Sequence, residues 1–194
     1  MQRHENLSEN DTRSKAGCDI IVYGYAALPA ASDLLSSEYA RIAERTGQVY
    51  ADRIKYNISA CMDSLEHYEA EVLSAIQKED PDTVVWPCGD DGVFGALWHM
   101  TAASHIGIHL DVRKIPLRQE TIELCNMFDL NPYRTKSNGC MILTSLCGAG
   151  TVEIINRVTE GCLPCVIAGY TLKGKEKLII NRDEMQYLTK PQGL

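Results

Sequence analysis

The chain has 194 residues, 45% hydrophobic and 23% charged, with a formal net charge of −7 and a pI near 5.2. A single domain of this size buries a substantial core without disulfide or metal staples, and the acidic balance argues against a surface for nucleic acid or an anionic membrane, which clustered Lys and Arg would hold. No run approaches the roughly 18 apolar residues of a membrane span, and the polar opening Met1-Gln2-Arg3-His4-Glu5-Asn6 has no apolar signal core, so a cytoplasmic location is expected.

Residues 1–16 are polar without apolar periodicity and read as a flexible arm ahead of one domain spanning 17–194. Asp19 to Tyr25 is β-branched and aromatic, hence a strand. A helix is predicted from Leu28-Pro29 through Leu34, Leu35, Tyr39 and Ile42, since proline is tolerated in a first turn, and Gly47 stops it. Two further helices follow, Val49 to Ile58 and Asp63 to Lys78, the second with Leu65, Tyr68, Val72, Leu73 and Ile76 on one face.

After the break at Pro81-Asp82, Thr83 to Trp86 makes a short strand, and Asp90 or Asp91 caps a helix carrying Phe94, Leu97, Trp98 and Ala102. The four-residue spacing of Phe94 and Trp98 predicts that both are buried. Ile108 to Val112 is a strand, Leu117 to Phe128 a helix, Met141 to Ser145 a strand and Val152 to Thr159 a helix. Strands Cys165 to Tyr170 and Lys177 to Asn181 flank a turn at Lys173-Gly174-Lys175. This alternation predicts an α/β (α+β) fold, a mixed sheet with helices packed on it.

The eight cysteines do not form a disulfide framework in a chain this long and rich in core residues. Cys61, Cys125, Cys140 and Cys147 lie in apolar sequence, where a free thiol behaves as a small hydrophobe. Cys162-Leu163-Pro164-Cys165 is the one C-x-x-C, readable as a redox pair or half of a zinc site. It leads into a strand rather than a helix, however, and no second pair completes it. The spacings of His99, His105 and His109 straddle a helix end and a strand, so no metal site is expected from them.

The stretch Asp91-Gly92-Val93-Phe94-Gly95-Ala96-Leu97-Trp98 is followed by Ile115-Pro116-Leu117-Arg118-Gln119-Glu120-Thr121, Asn131-Pro132-Tyr133-Arg134, Ser137-Asn138-Gly139-Cys140-Met141 and Leu178-Ile179-Ile180-Asn181. From about Gly17 to Pro191 this resembles the C-terminal domain of the AIR synthase-related superfamily, which includes aminoimidazole ribonucleotide synthase (PurM), HypE, selenophosphate synthetase and thiamine-monophosphate kinase, and among these the HypE-like proteins in particular. The resemblance implies a layered α/β sandwich with partial ferredoxin-like topology. It also implies a cleft where a nucleotide or phosphorylated substrate sits, bordered by Asp91, Gly92, Gly95, Arg118, Asn138 and Gly139, with ATP or a phosphorylated metabolite and magnesium as the ligand.

The chain departs from the family pattern in ways that count against activity. Where the family reads approximately D-V-T-E-G-G, this chain has Pro87-Cys88-Gly89-Asp90-Asp91-Gly92, and Asp91 would repel a phosphate at a helix start that otherwise favours anions. Capping by an aspartate is the plainer reading of that position. Ala26 to Ala30 stands where relatives have G-x-E-G-T, and the chain ends without the terminal cysteine of HypE. The family's metal-binding aspartates belong to an N-terminal domain, and no such segment precedes Gly17. The expectation is therefore a domain with no catalytic or metal residues of its own, which binds a ligand weakly or pairs with a partner. That partner is a second copy or a separately encoded N-terminal domain; in the latter case the chain is half of an ATP-dependent enzyme completed in trans. Gly139 is expected at positive φ in a turn, or in a ligand-facing loop.

Overall fold

The computed structural model describes residues 13–191. Its centre is a seven-stranded mixed sheet of β1 (Asp19–Tyr23), β2 (Val84–Pro87), β3 (Gly107–Asp111), β4 (Met141–Ser145), β5 (Cys165–Leu172), β6 (Lys177–Asn181) and β7 (Glu184–Tyr187). The order across the sheet is β2-β4-β1-β5-β3-β6-β7. Every pairing is antiparallel except β3 with β6. All six strand segments expected from the sequence are present, and β7 is added to them.

Alternation along β1 separates two cores. Ile20 and Val22 face one side of the sheet with Ile142, Ile108, Leu110 and the residues of α4 (Gly92–Ser104). Ile21 and Tyr23 face the other side, with Met141 and Leu143. That side takes α1 (Leu28–Ser37), α2 (Tyr39–Thr46), α3 (Gln48–Glu79), α5 (Gln119–Met127) and α6 (Gly148–Val158). Residues buried on both sides of a strand explain why β1 and β4 read as unbroken apolar runs.

The helices differ from the sequence reading in three places. The two segments expected at 49–58 and 63–78 are one 32-residue helix, α3. Ser59-Ala60-Cys61-Met62 contains no Gly or Pro to stop it. The helix expected from Leu28 instead divides at Glu38 into α1 and α2. Helix α6 begins at Gly148, earlier than Val152.

Trp98 is only half-buried, unlike Phe94: it packs at the rim of the core with the Lys177 ammonium 3.7 Å from its ring centroid. The start of the described chain is tied to the sheet, because Ser14, within the expected arm, is buried. Its hydroxyl bonds to that of Thr144 at 2.8 Å and accepts from Trp86 Nε1 at 3.0 Å. Residues 1–12 of that arm lie outside the described residues.

Candidate functional site

Helix α4 begins where the sequence places an anion-binding start. Asp91 occupies its N-cap position, but its side chain caps nothing. The carboxylate lies 4.0 Å from His99 Nε2 about two turns further on, and the path it takes fits only because Gly95 has no side chain: a Cβ there would lie 2.3 Å from Asp91 Cβ. The expected side-chain cap by Asp91 is therefore absent: its carboxylate turns toward His99 and accepts no backbone N–H.

The N–H groups of this helix start are largely taken. Gly92 donates to the Gly89 carbonyl at 3.1 Å, Phe94 to the Tyr133 carbonyl at 2.9 Å and Gly95 to the Asp91 carbonyl at 3.2 Å. Gly92 has φ +68°, and a Cβ there would meet the Thr135 and Tyr133 carbonyl oxygens at 2.6 and 2.7 Å. The segment 133–135 thus lies across the helix start, and an anion approaching it would face two carbonyl oxygens. Tyr133 also stacks on Phe94 with ring centroids 5.2 Å apart.

Of the other expected cleft residues, Asn138 and Gly139 belong to a turn joined to the loop before α4, where the Ser137 N–H donates to the Gly89 carbonyl at 3.0 Å, whereas Arg118 lies apart. Gly139 has φ +87° in the turn before β4 and packs near Leu65 of α3, while Asn138 beside it is exposed. Ser137 of the same turn is buried and accepts the Ala27 N–H at 2.9 Å. Arg118 stands before α5, in a polar hollow of about 550 Å³ with Tyr25, Tyr50, Arg53, Asn57 and Glu120. Its guanidinium donates twice to Glu120 at 3.2 Å and once to Cys61 Sγ at 3.2 Å. Hydrogen bonding to Glu120 raises its pKa above the ordinary arginine value. Asp91 lines a different hollow, with Arg134, Thr189, Lys190 and Pro191. Arg118 is therefore no counter-charge for Asp91.

Between these lies a groove of about 640 Å³. Its floor is Ile115, Pro116, Leu117, Tyr133, Val166 and Ile167, and Arg113 and Lys114 stand on its rim. Arg113 is committed to Asp111, donating to its carboxylate at 2.9 and 2.7 Å. Lys114 is in no ion pair among the described residues. Burial pushes the Tyr133 phenol upward, so it remains a neutral donor. The sequence reading passes over Arg113 and Lys114 and quotes Tyr133 only within the family-like stretch 131–134. The signal for Arg113 and Lys114 is their place as a basic pair directly before Ile115-Pro116.

All eight cysteines are free. Cys125 and Cys140 are buried as expected, Cys61 is half-buried against Arg118, and Cys147 is exposed at the start of α6 rather than in apolar surroundings. Cys165 is buried, and its thiol is pushed up to about 12, whereas Cys162 is exposed. A thiol held so far above neutral pH is a poor nucleophile. His109 Nδ1 meets the Tyr170 hydroxyl at 3.0 Å, and His105 ends α4 in the left-handed conformation. Among the described residues, no three His, Cys, Asp or Glu side chains come together as a metal site, and no helix is long and apolar enough to cross a membrane.

No family model matches the chain, and no curated protein matches it in sequence. Solved structures do. Hydrogenase maturation protein HypE in complex with ATP superposes with TM-score 0.70 at 13% identity, over 95% of this chain and 54% of its own. Thiamine-monophosphate kinase from Stenotrophomonas maltophilia K279a gives TM-score 0.54 at 16% identity, over 87% of this chain and 52% of that one. PurL of T. maritima complexed with FGAR gives 0.51 at 15% identity, over 90% and 27%. Its structural neighbours are thus AIR synthase-related proteins; the chain has the α/β fold found in them and spans about half the length of HypE and the kinase.

Proposed function

We propose that this chain is a binding domain that does not catalyse by itself, and that it holds a nucleotide or phosphorylated metabolite weakly in the groove beside Ile115–Leu117. The groove itself supports this reading: an apolar floor large enough for a planar base, with Lys114 uncommitted at its rim to meet a phosphate. Its lining contains no carboxylate, histidine or cysteine, the groups that act as general acid, base or nucleophile. Magnesium would arrive on the phosphates of the ligand. This reading moves the ligand away from Asp91, Gly92 and Gly95, whose helix start is crossed by Tyr133 and Thr135; Arg118, Asn138 and Gly139 do not line the groove either.

Titration calorimetry with magnesium and ATP tests it. Weak binding is expected, weakened further at least about threefold by Lys114→Ala, a loss of under ~1 kcal/mol that suits one exposed charge contact. Equal binding by the variant and the parent removes the groove from the proposal. Measurable ATP turnover by the pure protein removes the non-catalytic reading.

One observation favours a second reading. The chain spans 54% of the HypE chain that it matches, which suits one half of an ATP-dependent enzyme completed by a separate chain. Holding phosphate, metal and acceptor together requires more than one half-site. Copurification of such a chain, with ATP-dependent activity only in the mixture, would establish this reading; failure to associate with any N-terminal-domain protein would end it.

A further inference from the structure

The sheet is covered unevenly. On the side of Ile21 and Tyr23, helices α3 and α6 lie over β4, β1 and the start of β5. Toward the far edge the same side of the sheet is open: Tyr170 is 51% exposed, Met185 68% and Tyr187 67%. The register sets Tyr170, His109, Leu178 and Tyr187 in one row across β5, β3, β6 and β7, with Asp111, Ile180 and Met185 in a neighbouring row. The His109–Tyr170 hydrogen bond, at 3.0 Å, shows that these side chains share one face.

Strand β7 is the last in the sheet, and all four of its residues are exposed. Leu188, just past it, donates its N–H to the Lys177 carbonyl on β6 at 2.8 Å. Because backbone groups alternate in direction along an antiparallel strand, the N–H and C=O of Tyr187 and Met185 point outward from the free edge. The opposite edge is built otherwise. Strand β2 ends in Pro87, and its Trp86 is tied to Ser14, which are ways of blunting an edge against pairing. Between Glu184 and Tyr187 there is no proline or lysine.

We propose that β7 is a self-pairing edge: two copies join β7 to β7 antiparallel about a twofold axis at Gln186, making one continuous sheet. In that register Met185 of each copy lies opposite Tyr187 of the other, so the outward N–H and C=O groups of both meet. The two side chains pair across the strands on the open side, a thioether against an aromatic ring. Charge selects a second copy in this direction. In this register Arg182, Asp183 and Glu184 of one copy, net −1, lie opposite Lys190, Thr189 and Leu188 of the other, net +1, with Lys190 facing Arg182 and next to Asp183 and Glu184, whereas parallel pairing sets acidic start beside acidic start. The contact is isologous and closes after two copies. It is independent of the groove and of any ligand there.

Light scattering of the full chain across micromolar to submillimolar concentrations tests the proposal, with circular dichroism to verify the fold of each variant. The expected mass at the upper end is twice the 21.6 kDa of one chain. Tyr187→Pro removes an N–H that does not bond β6, and Met185→Lys sets a charge beside the twofold axis; each is expected to return the mass to that of one chain. Leu146→Lys, at a residue 66% exposed outside the sheet edge, is expected to leave the doubled mass unchanged. A parent that stays at one chain's mass overturns the proposal. So does a doubled mass that survives Met185→Lys, or one lost only in Leu146→Lys.

Discussion

Strands β4 and β7 occupy opposite halves of one sheet and differ in every residue: all of Met141–Ser145 is buried, and all of Glu184–Tyr187 is exposed. Strand β4 has core residues on both of its sides, Ile142 in one and Met141 and Leu143 in the other. Strand β7 has β6 on one side and an open edge on the other. The difference teaches that this domain concentrates its cohesion at the β2-β4-β1-β5 half, and leaves the β6-β7 half as surface on which something else can act.

The sharpest way to break that comparison is to remove equivalent apolar groups from both halves. Ile142→Ala deletes a side chain that is 0% exposed and is expected to cost about 2–5 kcal/mol, the range for buried Ile to Ala. Met185→Ala is expected to stay within about 0.5 kcal/mol, as for a surface site, when unfolding is measured on dilute protein. Urea unfolding of both variants checks this. Similar losses would show that the β7 edge belongs to the core after all.

Asp80 offers a second test, because it joins the end of α3 to the well-covered half. Burial pushes its carboxyl upward, but the hydroxyls of Thr151, Thr83 and Ser145, donating at 2.6, 2.6 and 2.9 Å, together hold it below the ordinary carboxylate range. A folded pKa below the unfolded one means that the native state holds on to fewer protons. Its stabilisation is thus complete above the unfolded value of about 4 and is lost as pH falls through the lowered folded value. Asp80→Asn is expected to cost about 1–3 kcal/mol at neutral pH, the worth of hydrogen bonds to a charged acceptor. The gap between variant and parent should narrow below about pH 4. Urea midpoints across that range check the sign; a gap that widens in acid would show that these hydroxyls do not stabilise Asp80 by donating to its ionised carboxylate.

The same contrast explains what was legible in the sequence. Strands β1 and β4 announce themselves because residues buried on both faces give a continuous apolar run. Strand β7, with Glu184, Met185, Gln186 and Tyr187 all in solvent, carries no such pattern; it is fixed by the two-residue turn at Arg182 and Asp183 and by pairing to β6. The unbroken α3 was hidden by a stretch whose outward residues carry no apolar period, although nothing in it stops a helix. At the candidate site, glycines and Asp91 could be located but not their surroundings. What closes the α4 start is the backbone carbonyl of Tyr133, and a carbonyl leaves no trace in side-chain identity. Arg118 and Glu120 are two residues apart and readable as a pair, whereas the contact of Arg118 with Cys61 comes from distant sequence.

The smallest expected effect lies where the open half meets α4. Lys177 of β6 sets its ammonium 3.7 Å from the Trp98 ring centroid, and burial lowers its pKa below the ordinary lysine value. The ring attracts the cation, while the hydration lost on burial works against it. The charge should therefore add little. Lys177→Met keeps an unbranched apolar stem over the ring and removes only the ammonium, so its cost is expected to be no more than about 0.5–1 kcal/mol, the range for a partly exposed cation over tryptophan. Urea unfolding followed by circular dichroism checks this without relying on the fluorescence of the altered tryptophan. A loss above about 2 kcal/mol, beyond that range, would mean that this pair anchors β6 to α4 and that the far half of the sheet is held from one side far more tightly than its exposed face implies.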